Sequence, residues 1–232
     1  MPAIPHRIVS RVRNDNKEEN MKTKKFTTSQ LTILGLMAGI LFLMAYTPLG
    51  YLNIGPLAVT FNVIPVAVCA IVLGPTGGAI AGAVFGLTSF MQAIGIGGVS
   101  ALGSALFQIN PFMTAVQCFG PRILDGICIG FIYRAVHKKA NTYVSCAVTG
   151  FFSAFLNTLF FMTALIVMFG NTELIRNLMG GHNIIVGCCL MVGVNAISEM
   201  VSSTIITAAV GTALSKAHLI PAVQIVKTDT AA

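Results

Sequence analysis

Charge is what this sequence has least of. Only 9% of its 232 residues are Asp, Glu, Lys or Arg, against roughly 25% in soluble domains. That is too little charge to cover a water-facing surface, and a soluble enzyme is excluded. Strict apolar–polar alternation is also missing, which argues against a membrane β-barrel. The six cysteines (Cys69, Cys118, Cys128, Cys146, Cys188 and Cys189) all lie in apolar stretches, with no CxxC and no His at ligand spacing. They read as small buried hydrophobes, and no metal, cofactor or thiol nucleophile is expected. Ser/His and Cys/His constellations are absent too, so no catalytic residues are assigned; His182 reads as a surface residue of an external loop.

What the chain has instead is length of apolar sequence. Hydrophobic residues make up 55% of it and the mean hydropathy is +0.84. Six stretches, 31–46, 59–73, 77–97, 111–136, 143–169 and 184–214, carry few or no ionisable groups. A helix needs ~20 mostly apolar residues to cross ~30 Å of hydrocarbon, and isolated backbone polar groups are not tolerated there, which leaves helices as the spanning element. The expected fold is all-α: an integral-membrane bundle of six helices over 29–216. A polar, disordered N-terminal segment over 1–28 and a short tail over 217–232 flank it. Span two, 59–73, is short and needs help from its flanks. The segment before Met21 has no apolar run and is not expected to be a signal peptide; Met21, followed by Lys-Thr-Lys-Lys, offers a second start.

Twelve of the fourteen Lys and Arg residues fall in the N-terminus, the 134–141 turn and the tail. The positive-inside rule then places both termini in the cytoplasm of a multi-pass protein of the cell membrane. The net charge of +7 is a topology signal rather than a nucleic-acid footprint. Small residues recur at four-residue steps, at Gly35 and Gly39, at Gly74, Gly78, Gly82 and Gly86, and at Gly126 and Gly130. Such steps let helix backbones approach closely in lipid, either inside the bundle or, for Gly35 and Gly39, against a membrane partner. Pro65 and Pro121 are expected to kink or break their spans.

Polar residues inside a membrane are rare and costly. Arg122 and Asp125 lie in span four, Ser153 and Asn157 in span five, and Asn195, Ser198, Glu199 and Ser202 in span six. Counted at ~1.5 Å per residue, Arg122, Asn157 and Asn195 all sit roughly 17 Å from the outer helix ends, which suggests one polar pocket opening outward. Arg122 suits a carboxylate or phosphate; the two Asn side chains read hydroxyls and amides. The alternative is structural, with Arg122 paired to Asp125 or Glu199. Asn62 and Gln92 lie near the outer ends of spans two and three. The segments 46–56 and 95–110, rich in Gly, Pro and Ser yet apolar, are either lids over the pocket or ordinary interfacial loops.

TPLGYLNIGP at 47–56, TFNVIPV at 60–66, LGPTGGAIAGAVFGLTS at 73–89, NPF at 110–112 and PRILDG at 121–126 together resemble the substrate-binding S components of energy-coupling factor (ECF) vitamin transporters, most closely the pantothenate type. The resemblance runs over 31–214. It implies a protein that binds one vitamin under a roof formed by the loops after spans one and three, where Tyr51, Phe107 and Asn110 lie. It implies partners as well: a membrane T subunit with two cytoplasmic ATPases, docked through a small-xxx-small motif in the first helix, at whose position Gly35 and Gly39 stand. Pantothenate, an anion with an amide and two hydroxyls, suits an Arg flanked by Asn residues. Cobalamin or riboflavin, and an unrelated small channel or secondary carrier, are the alternatives.

Overall fold

A computed structural model describes residues 27–47, 51–53, 58–97, 100–178 and 184–220. The expectations for the N-terminal segment, a start at Met21, His182 and the end of the tail lie outside them. The chain divides at Thr32. Of the first unit, the described residues form the opening turn of the first helix; all that follows concerns the second.

The elements, in chain order, are α1 (Thr28–Ala45), β1 (Tyr51–Asn53), β2 (Ala58–Thr60), α2 (Val63–Ala93), α3 (Ala101–Ile109), α4 (Pro111–His137), α5 (Thr142–Phe169), α6 (Glu173–Leu178) and α7 (Ile184–Lys216). Among the described residues, five helices are long and apolar enough to cross a membrane: α1, α2, α4, α5 and the part of α7 from Asn195. Large apolar side chains such as Leu124, Phe131, Val167, Ile197 and Ile205 face outward, as lipid contact requires.

The stretches expected as spans two and three, 59–73 and 77–97, fall largely within the single element α2. Gly74 interrupts its helical backbone at φ 75°, ψ −163°, a region essentially reserved for glycine, and Pro75 follows. In a straight helix, residues eight apart are separated by about 12 Å. Here a Cβ placed on Gly78 would stand 3.0 Å from the Cβ of Ala70, so the arms 63–73 and 75–93 fold back on each other. Val63, Val66, Ala67 and Ala70 of the first arm accordingly share one core with Ala81 and Phe85 of the second.

The first arm is only about 17 Å long by its eleven residues, half a bilayer. Residues 58–60, expected to begin this span as helix, are instead a strand paired antiparallel to β1, with Tyr51 opposite Thr60 and Asn53 opposite Ala58. Non-helical backbone at membrane depth needs protein partners. Glu199, midway along α7, supplies one by accepting a hydrogen bond from the Thr60 amide at 2.6 Å.

The glycine ladder is an internal joint. A Cβ on Gly78 would collide with the carbonyl of Gly126, one on Gly82 with the carbonyl of Arg122, and one on Gly86 would lie 2.9 Å from the carbonyl oxygen of Cys118. At the inner end, a Cβ on Gly130 would come within 2.6 Å of Pro75. Each step down one turn of α2 meets a step up one turn of α4, backbone against backbone, as small-residue interfaces allow. Gly150 of α5 lies likewise against the Ser203 carbonyl of α7. By contrast, a Cβ on Gly35 or Gly39 would meet nothing within 4 Å.

The prolines behave differently from expectation. Pro65 falls in the first turn of α2, where an N–H has no intrahelical acceptor to lose, so it breaks nothing. Pro121 sits inside a helix that runs unbroken over Pro111–His137. Within the 95–110 segment, Ala101–Ile109 form the helix α3. Ser100 caps α3 by accepting from the Gly103 amide at 3.1 Å, and Leu106 is buried with Met162, Leu165, Phe169 and Ile175. Thus α3 and α6 pack against the C-terminal half of α5.

Candidate functional site

Arg122 is the centre of the polar interior. Its backbone is pressed against Gly82, and its side chain lies between two aromatic rings, with Cζ 5.0 Å from the centroid of Phe85 on α2 and 5.0 Å from that of Phe161 on α5. A guanidinium over an aromatic face gains about 0.5–2 kcal/mol, more when desolvated. Its Nη1 donates to the carbonyl of Gln117 at 3.0 Å. That carbonyl is four residues before Pro121, which has no N–H to offer it. The proline frees the acceptor, and the next residue takes it. Among the described residues Arg122 forms no ion pair with Asp125 or Glu199, and its Nε is buried without a hydrogen-bond partner.

Asn157 lies on the same side of α5 as Phe161, one turn below it, and Ser153 is one turn below that. Ser153 donates to the carbonyl of Val63 at 3.3 Å. The stripe 153–157–161 therefore runs from the start of α2 to Arg122, with Asn157 between. Asn157 is buried and its Oδ1 is unpartnered among the described residues.

Asn62 immediately precedes α2 and is fully buried. Asn110 and Asn141 hold the equivalent positions of α4 and α5, and each spends its Oδ1 capping its own helix, on the Met113 amide at 3.1 Å and the Val144 amide at 2.8 Å. Asn62 makes no such cap. Both its Oδ1 and its Nδ2 are buried without a hydrogen-bond partner among the described residues. Burying one such group unmatched costs about 1–3 kcal/mol, so its amide is held ready for something other than its own helix.

Asn195 is buried, one turn above Glu199 on α7, which joins it to the corner at Thr60. Gln92 lies further out and donates Nε2 to the Ala45 carbonyl at 2.6 Å, tying α2 to α1. Phe107 packs edge-on to Phe90 at 6.0 Å, and Asn110 is the α4 cap. Tyr51 is in β1, its side chain outside the described residues. The contacts thus join Arg122 to Phe85 and Phe161, with Asn157 one turn from Phe161 on α5; Asn62 stands beside the Val63 carbonyl that Ser153 holds, while Gln92, Phe107 and Asn110 are engaged with Ala45, Phe90 and the α4 cap.

Two aromatics and one glutamine escape a search for intramembrane polar residues. Phe85 sits inside the glycine ladder and Phe161 one turn from Asn157, a spacing that marks them afterwards. Gln117 donates Nε2 to the Phe161 carbonyl at 2.9 Å, with its Oε1 buried and unpartnered. Its clue was its place four residues before Pro121. Ser89, one turn from Phe85, also has a buried, unpartnered hydroxyl.

The arrangement offers a cation held by aromatic rings and by its own helix, beside amides able both to donate and to accept. It suits an anion carrying hydroxyl or amide groups. Comparison with other proteins agrees in kind. Residues 29–211 match the family described as the substrate-specific component of an ECF transporter. The pantothenate transporter PanT of Leuconostoc mesenteroides is 33% identical over 204 residues, covering 84% of this chain and 94% of that protein. The pantothenic acid transporter PanT of Lactococcus lactis is 28% identical over 208 residues, covering 84% and 98%.

Proposed function

This chain belongs to the substrate-specific components of ECF transporters, and from that premise we propose that it captures pantothenate from outside the cell and passes it inward through an ATP-driven partner module. The observation that carries the reading is Arg122, a permanent cation fixed between Phe85 and Phe161 with Nε unspent. It takes the carboxylate. Asn62 and Asn157, with unpartnered amide atoms, read the hydroxyls and the amide, and Asn195 closes the α7 side. Two relatives bearing the name of a pantothenate transporter support the choice of ligand.

The test is calorimetry with the purified protein. Truncating one partner of a buried charge pair costs roughly 2–5 kcal/mol, so Arg122→Ala is expected to weaken pantothenate binding by at least about thirtyfold. Unchanged affinity would sink the assignment.

For the partners, the reading takes Gly35 and Gly39 as the face that meets the membrane subunit of the energising module. Its support is that both are exposed, on a helix that leaves them uncovered. Gly35→Leu or Gly39→Leu is expected to abolish co-purification with that module and leave pantothenate binding intact; unimpaired assembly would count against it. The topology that goes with this function puts the basic inner ends, including Arg134 beside Gly74, at the cytoplasmic face.

A further inference from the structure

The corner between β2 and α2 is held from two sides, and what it holds is Asn62. From α7, Glu199 Oε1 accepts the Thr60 amide at 2.6 Å. Within the corner, Thr60 Oγ1 accepts the Asn62 amide at 3.3 Å. From α5, Ser153 donates to the Val63 carbonyl, the next residue along, at 3.3 Å. Thr60, Asn62, Ser153 and Glu199 are all buried.

A carboxylate in the middle of a membrane helix is costly and calls for a reason. Glu199 does not use its Oε1 on Arg122; that atom accepts the main-chain N–H of Thr60, at the end of β2 and before α2 begins. Charge-assisted bonds of this kind are roughly twice as strong as neutral ones. The corner also leaves the Asn62 side chain with no cap and, among the described residues, no hydrogen-bond partner.

We infer that Glu199 is a positioning residue for the ligand: acting through Thr60, it fixes the corner so that the Asn62 amide points at bound substrate. Glu199 itself touches no ligand in this account. The inference rests on the reading of Asn62 as a ligand group, and predicts a coupling between a residue of α7 and one in the β2–α2 corner that share no direct bond.

The experiment is a double-mutant cycle on the full chain in nanodiscs, with pantothenate as the probe. Glu199→Ala is expected to weaken binding about tenfold or more. Glu199→Gln, whose amide oxygen can still accept from Thr60, should lose less than about threefold. In an Asn62→Ala background, Glu199→Ala should add less than about twofold, since the group it aims is gone. The same penalty in both backgrounds overturns the inference. Should Glu199→Ala not fold, Glu199→Asp carries the same comparison.

Amide exchange at Thr60 in the ligand-free protein separates this from the choice of ligand. Protection there should fall in Glu199→Ala and persist in Glu199→Gln, with α4 unchanged in both. Failure of the wild type to bind pantothenate overturns the ligand reading alone; unaltered protection at Thr60 in Glu199→Ala overturns the role of Glu199.

Discussion

Replacing Pro121 with alanine should make the protein more stable and worse at its task. Alanine restores an N–H at position 121, and that N–H competes for the Gln117 carbonyl now taken by Arg122 Nη1 at 3.0 Å. In a soluble helix the Pro-to-Ala change is worth about 3 kcal/mol; part of that is already recovered by the arginine, so a gain of about 1–2 kcal/mol is expected. The cost falls on Arg122. A hydrogen bond from a charged donor contributes about 1.5–3 kcal/mol, and a carbonyl has two lone pairs to share, so roughly half of it is lost. That corresponds to a loss of pantothenate affinity of about three- to tenfold. Thermal unfolding in detergent and calorimetry on the same sample measure the two quantities. A raised Tm with unchanged affinity would refute the anchoring of Arg122 by the freed carbonyl. A lowered Tm would refute the account of the helix itself. In an Arg122→Ala background the affinity effect of Pro121→Ala should disappear.

Two further substitutions test the frame around the site. Gly74→Ala forces a side chain into a left-handed backbone and onto the guanidinium of Arg134; it should cost about 1–3 kcal/mol, seen as a lowered Tm, and a neutral result would contradict the reversal at Gly74. Asn110→Ala removes the α4 cap and should lower stability by about 1 kcal/mol, with pantothenate affinity changed less than about twofold. A large affinity loss there would return Asn110 to the binding site.

Span boundaries were legible because apolar length is a strong signal. The ends expected for the last three spans fall within two residues of α4, α5 and α7. The reversal at Gly74 was legible too, since LGP followed by GG announces a turn. The strand at 58–60 was not. Ala-Val-Thr is apolar and continues into an apolar helix, so nothing local distinguishes it; the acceptor that makes it possible, Glu199, is 139 residues away. In the site, the fixed rise per residue of a helix gives the expectation that Arg122, Asn157 and Asn195 share one level. Which polar atoms are spent could not be counted that way. Asn62, Asn110 and Asn141 look alike in sequence, and only the structure separates two caps from one amide left over. The aromatic contacts of Arg122 were hidden for a related reason: Phe85 and Phe161 read as ordinary lipid-soluble bulk until two helices bring both rings to one guanidinium.

The joint between α2 and α4 bears on how such a protein can move. Interfaces that switch usually do so because interlocking side chains have two ways to mesh. Where main chain lies on main chain at Gly78, Gly82 and Gly86, there are no rotamers to exchange and no second register within a fraction of a turn. The outer arm of α2 and α4 must therefore travel as one plank. Any change of shape that accompanies loading or release then falls on parts fastened by single side chains, such as α1, moored at its C-terminal end by Gln92 on the Ala45 carbonyl. The protein is stiff where it has only glycine and adjustable where it has invested a polar side chain, the reverse of what the flexibility of glycine in water would suggest.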